Sequence, residues 1–171
     1  MKSHPVRLLL AGLGLLAATM SAQSTPPQPP PPPPEARQFD FWIGAWDVTA
    51  PNGKQVGSSR IELIAKGNGL LENWTGAGGG EGKSLNCYNA ARKQWQQFWV
   101  GNGGVLELAG GLVDGSMVMS GEHTVGGTPT IERITWTPLP DGVVRQHWEQ
   151  STDGGKTWTT AFDGRYHKKA G

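Results

Sequence analysis

The chain has one cysteine, Cys87, in 171 residues. An internal disulfide is therefore excluded, and the fold must be held by its core. No His, Lys or Arg adjoins Cys87 to activate it, so the sequence reads it as a small buried hydrophobe rather than a reactive thiol. Charge of either sign is sparse: Asp, Glu, Lys and Arg make up 17% of the chain, with 15 basic against 14 acidic side chains. That balance excludes a nucleic-acid or anionic-membrane partner held by charge. Metal-ligand spacing is missing as well, with no His-x-His, His-Glu-x-x-His or Cys-His pairing, so neither a metal nor another cofactor is expected. Phe and Tyr are scarce, at four and two residues, and eight Trp carry the aromatic content.

Residues 1–22 read as a signal peptide. Lys2 and Arg7 precede an apolar run from Leu8 to Ala18, and small residues, Ser21 and Ala22, stand where a peptidase would cut. The run is shorter than the roughly 20 apolar residues of a spanning helix, so export into the periplasm or the medium is expected, without stable membrane insertion after cleavage. No Cys ends the run to take a lipid. Cleavage removes Lys2 and Arg7 and leaves 13 basic against 14 acidic side chains, a net charge of −1. Residues 23–35 form a proline-rich linker, with Pro at 26, 27 and 29–34. Such a run is expected to extend as polyproline II, a spacer of about 30 Å, with a disordered tail as the alternative.

From residue 36 to 169 no helix-length amphipathic stretch occurs. Short runs of β-branched, aromatic and alternating residues are instead broken by Gly, Asp, Asn and Pro every roughly 8 to 14 residues. This pattern predicts strands over 45–50, 56–66, 70–75, 83–89, 94–100, 105–112, 116–125, 130–137, 143–150 and 157–167, after a short helical turn over 36–43. The connections are hairpin-length, with strong turn signals at Asp114-Gly115 and Pro140-Asp141-Gly142, so sequence neighbours become sheet neighbours. About ten strands in a meander would leave two long open edges, and closure removes them. The expected fold is all-β, an antiparallel up-and-down barrel. It exceeds the roughly eight strands whose side chains just fill the interior, so a cavity of several hundred cubic ångströms is expected.

The first motif is Phe39-Asp40-Phe41-Trp42-Ile43-Gly44-Ala45-Trp46-Asp47-Val48. Gly-x-Trp on a first strand after a helical turn resembles the lipocalin and wider calycin signature. Gly44 would permit close backbone approach and Trp46 would plug one end. The longer string, with Leu71-Glu72-Asn73-Trp74, the segment from Lys93 to Val100, and Arg145-Gln146-His147-Trp148-Glu149-Gln150, is similar to a family of calycin-like bacterial exported proteins. The resemblance spans Phe39 to about His167. It implies a lipocalin-like barrel and brings no agreed substrate, cofactor or catalytic residue. It also implies an Arg from a late strand lying across the Trp46 indole, here Arg165, with Arg145 second.

Ser151-Thr152-Asp153-Gly154-Gly155-Lys156-Thr157-Trp158 looks like the Asp box of sialidase propellers. A propeller needs one such unit per blade, and one copy in this length reads as a hairpin turn. Asp153 and Ser151 would bond turn amides, with Trp158 packing beneath.

Candidate ligand-binding residues are Trp74, Tyr88, Trp99, Trp136, Arg145, His147 and Glu149. Trp74, Trp95, Trp99, Trp136 and Trp148 either line an apolar pocket or fill the core. Five glutamates, Glu72, Glu107, Glu122, Glu132 and Glu149, fall on predicted strands. Glu149 is singled out because it alternates with His147 and Arg145 on one face. The other face carries Gln146, Trp148 and Gln150, and the pattern does not decide which set points inward. An inward trio would allow acid–base chemistry. An axial haem ligand at His147 is weighed below an ordinary sheet histidine. The leading expectation is a barrel that binds a small apolar molecule. A structural or interaction protein of the cell envelope is the alternative, and an enzyme using Glu149, Arg145 and His147 ranks third.

Overall fold

The computed structural model describes residues 30–169. The signal-peptide reading of 1–22 and linker residues 23–29 lie outside the described residues. Two short 3-10 turns, Pro34–Arg37 and Asp40–Trp42, precede ten strands. These are β1 (Gly44–Thr49), β2 (Gln55–Ile64), β3 (Gly69–Gly76), β4 (Glu81–Asn89) and β5 (Gln94–Gly101). They continue as β6 (Gly104–Val113), β7 (Ser116–Val125), β8 (Thr128–Pro138), β9 (Val144–Ser151) and β10 (Thr159–Lys168). Every strand expected from the sequence is present, with ends displaced by at most two residues.

Each strand pairs antiparallel with its sequence neighbour, and β1 pairs with β10 to close the barrel. The closing register sets Trp46 opposite Lys168 and Thr49 opposite Arg165. Turn chemistry sets the hairpins. Asp114 and Gly115 both have positive φ, at 47° and 80°, the pattern of a type I′ turn that matches strand twist. Asp141 accepts the Val143 amide at 3.2 Å.

The seam between β6 and β7 is knitted along only half its length. Ladder pairs run from Ala109–Val113 to Ser116–Ser120, and beyond them the two strands no longer pair with each other, each keeping its ladder to its other neighbour. They touch once more at Gly121, where a Cβ would lie 2.0 Å from the Glu107 carbonyl oxygen; only glycine fits that approach.

One end of the barrel is corked. The 3-10 turns carry Phe39 and Trp42 into it, and both are fully buried. Phe39 stacks on Trp42 at 4.9 Å and meets Trp136 at 5.2 Å and Trp95 at 5.6 Å. The Trp46 indole donates to the Trp42 carbonyl at 2.9 Å. Aromatic side chains bury roughly 150–250 Å² each, so this cluster holds much of the apolar core.

The arginine expected over Trp46 is not there. Arg165 is exposed on the outer face, and Arg145 is engaged by Asp163. Lys168 takes the position, with its Nζ 5.6 Å from the Trp46 ring centroid. The pleat explains the exchange: alternate residues share a face, so Lys168 lies on the side of Tyr166 and Gly164, and Arg165 on the other. Gly44 has φ at 145°, and the Lys168 side chain passes 3.0 Å from where its Cβ would be.

Candidate functional site

Alternation along the strands decides what the lumen sees. Above the cork lies a cavity of about 120 Å³. Its aromatic wall is Trp74, Trp99, Trp148, Phe162 and Tyr166, with Leu106 and Ile134 between. Its polar groups are Glu72, Gln97 and Gln146. Trp74, Trp99, Leu106 and Trp148 also wall a wider cleft of about 450 Å³ at the barrel mouth, rimmed by the Gly80–Glu81 and Asn102–Gly104 turns and by His123 and Val125. The inner cavity alone is smaller than the several hundred cubic ångströms expected from strand number, because indoles occupy much of the lumen.

Glycines on neighbouring strands keep those indoles against the wall. A Cβ at Gly57 would lie 2.5 Å from Trp74 Cη2, and one at Gly82 2.1 Å from Trp99 Cζ2. Each six-membered ring thus sits where another residue's side chain would begin, instead of crossing the lumen. Trp74 packs against Phe162 at 5.9 Å and Tyr166 at 6.4 Å.

Two buried carboxyls face this interior. Glu72 on β3 accepts the Ser59 hydroxyl from β2 and the Ser84 hydroxyl from β4, both at 2.9 Å. Burial pushes its carboxyl up to about 7, and the Ser84 and Ser59 bonds only partly offset this. The polar row continues sideways: Asn86 donates to Ser84 Oγ at 2.9 Å and accepts from Gln97 at 2.8 Å. Burial, with Glu72 nearby, raises the Tyr166 phenol well above its ordinary value, and that hydroxyl donates to Gln146. Glu132 on β8 accepts from His123 at 2.6 Å, Gln150 at 2.9 Å and the Trp148 indole. Three partners occupy Glu132 and fix Trp148.

Of the residues singled out in the sequence, Trp74 and Trp99 line the cavity. Trp136 is wholly buried in the cork. Tyr88 is half-buried, 6.3 Å from Trp95. Arg145, His147 and Glu149 do not reach the lumen. Trp148 pairs with the lumen residue Ile134, and His147 pairs with Thr135 between them, so the trio lies on the outer face. There Arg145 clasps Asp163 at 2.9 and 2.7 Å, and Glu149 binds Arg133 at 3.0 Å with His147 3.7 Å away. The acid–base reading that placed them inside falls, and with it a lumen haem on His147. Cys87 is only half-buried and borders a groove on the outer wall, so it is not a core residue.

Asp153 and Trp158 sit in the β9–β10 turn. Asp153 accepts the Lys156 and Thr157 amides at 3.0 and 2.9 Å and the Thr157 hydroxyl at 2.6 Å. Those bonds, the Thr157 hydroxyl first, hold its carboxyl down at about 2. The Trp158 indole donates to the Gly155 carbonyl at 3.1 Å, and the Arg133 guanidinium covers its ring at 3.7 Å.

The signal missed in the sequence was parity. Once tryptophan is set inward, Glu72 follows from Trp74, Gln97 from Trp99, and Gln146 from Trp148. No group of three or more metal-ligating side chains occurs among the described residues, and none of their helices is long and apolar enough to cross a membrane. No protein-family model matches the chain, and no curated protein matches its sequence.

Proposed function

We propose that this protein is an exported binding module that holds a small, largely apolar ligand in the barrel lumen. One observation carries the reading: a cavity walled by three tryptophans, Phe162 and Tyr166, with a single carboxyl, Glu72, set among them. A cavity of about 120 Å³ is close to the roughly 150 Å³ apolar void that takes up benzene, so one ring or a compact branched group fits inside. A longer ligand would extend into the mouth cleft. The corked end and meander topology support the calycin kinship. Residues 1–22 would direct export, and the proline-rich run ahead of the first 3-10 turn would stand the barrel off from the surface it left.

Native mass spectrometry of protein purified from its own host, compared with the denatured mass, tests this reading. A retained small molecule whose release changes tryptophan fluorescence is the expected result. Protein that carries nothing, and whose fluorescence no small apolar probe alters, would overturn it.

A second reading has its own observation. Leu85 pairs across strands with Phe98, and Val100 with Val105. All four are exposed by 46–51% on the outer wall. A row of this kind suits an interaction surface, and a concentration-dependent mass in light scattering would favour that role.

A further inference from the structure

Resting on the lumen-binding reading, we propose that the ligand is a small organic cation, a protonated or quaternary amine. It would be caged by Trp74, Trp99 and Trp148 and paired with Glu72.

The sign of the charge follows from what lines the space. Glu72 faces the cavity, and Glu81 and Glu132 face the mouth. Neither Lys nor Arg is among the residues lining cavity or cleft; His123 is the one basic side chain there, and Glu132 holds it. Carboxylates within low-dielectric walls concentrate cations and repel anions. An anionic ligand would find no counter-charge inside.

The aromatic wall points the same way. A cation is drawn to an indole face within about 6 Å of its centroid, and several such faces around one point make the cage that recognises quaternary ammonium groups. Here the glycine positions hold Trp74 and Trp99 against the wall, and Glu132 pins Trp148 by its N–H. The rings are set before any ligand arrives, which lowers the ordering cost of binding.

Glu72 completes the site. Each of its oxygens takes one serine hydroxyl, from Ser59 and from Ser84, and each retains a lone-pair direction for a ligand. A buried carboxyl without a positive partner disfavours its charged form. The groups packed against it, Ser59, Ser84 and Tyr166, are neutral, and a guest cation would be the missing partner. Glu132, with three donors already, serves instead as a brace.

Calorimetry on the full chain tests this with two probes of one shape, choline and its uncharged isostere 3,3-dimethylbutan-1-ol. We expect choline to bind about tenfold more tightly. Glu72→Gln should bring the two within about threefold, chiefly by weakening choline, with near-ultraviolet circular dichroism confirming the fold. Equal affinities in the unaltered protein would overturn the cation assignment and leave lumen binding standing. A choline preference that survives Glu72→Gln would overturn the role of Glu72. Should neither probe bind, the molecule retained from the host decides: an amine supports the inference, and a neutral or anionic molecule sinks it. A chain that binds no probe and retains nothing from its host ends both readings.

Discussion

Trp99 occupies the space of the side chain that Gly82 lacks, with its Cζ2 2.1 Å from where a Cβ would stand on the neighbouring strand. The same economy places Trp74 over Gly57. The cavity is open because two positions are empty of side chains, so the glycines are as much a part of the site as the tryptophans.

Gly82→Val therefore drives the Trp99 ring toward the axis and fills the cavity. Overpacking of this kind costs about 1–3 kcal/mol, which a ten-strand barrel should survive. The expected outcome is a folded protein with a lowered melting temperature and tryptophan fluorescence that no longer answers to ligand. Ligand affinity unchanged in the variant would show that the cavity is not where binding occurs.

Glu72 gives stability a pH dependence of unusual sign. Its carboxyl titrates at about 7 in the fold against an ordinary 4.5, so between those values the folded state keeps a proton that the unfolded chain has lost. Stability is then full below about pH 4.5 and falls as pH rises to about 7. A shift of that size is worth about 3 kcal/mol. Glu72→Gln cannot ionise, so without ligand it should be more stable than the parent at pH 8 by about 2–3 kcal/mol, and nearly equal to it at pH 4.5. Urea unfolding at the two values measures this, and an offset that does not change with pH would refute it.

Phe39 is the centre of the cork, in contact with Trp42, Trp95 and Trp136. Phe39→Ala should cost about 3–5 kcal/mol, with loss of near-ultraviolet dichroism from the clustered rings ahead of the far-ultraviolet signal. A loss below about 1 kcal/mol would mean that the N-terminal turns merely rest on the barrel.

Lys168 and Arg165 separate the observed closure from the expected one. Lys168 lies over Trp46 at 5.6 Å, at an exposed position where such contacts are worth about 0.5–1 kcal/mol. Lys168→Ala should lower stability by that amount and shift the Trp46 emission. Arg165→Ala should stay within about 0.5 kcal/mol of the parent. The reverse ranking in thermal unfolding would restore the arginine.

The barrel was legible in the sequence because turn residues punctuate it and because a ten-strand meander without closure would leave bare edges. Hairpins such as Asp114-Gly115 carry their own geometry. Which face of β9 points inward was not legible. Alternation is informative when one face is apolar, and Arg145, His147 and Glu149 alternate with Gln146, Trp148 and Gln150, both sets largely polar. The choice rests on the register with β8, where Trp148 meets Ile134, a pairing between distant residues. Lys168 was hidden for another reason: it is the last residue of β10, one beyond the strand end that the sequence pattern marks. Glu72 looked like any of five strand glutamates until Ser59 and Ser84 were seen to converge on it.

The half-knitted seam also gives the wall a weak line. Prising two fully paired strands apart sacrifices every ladder bond between them, but past Ser120 the β6–β7 margin has none to lose. Val105 and Leu106 on one lip and His123 and Val125 on the other already border the mouth cleft. A guest broader than the opening would meet these lips where no ladder bond ties them, with Phe39 and Trp42 closing the far end. The barrel is thus a sleeve with a slit cuff, packed shut with aromatic rings at its base and untied along one side of its rim.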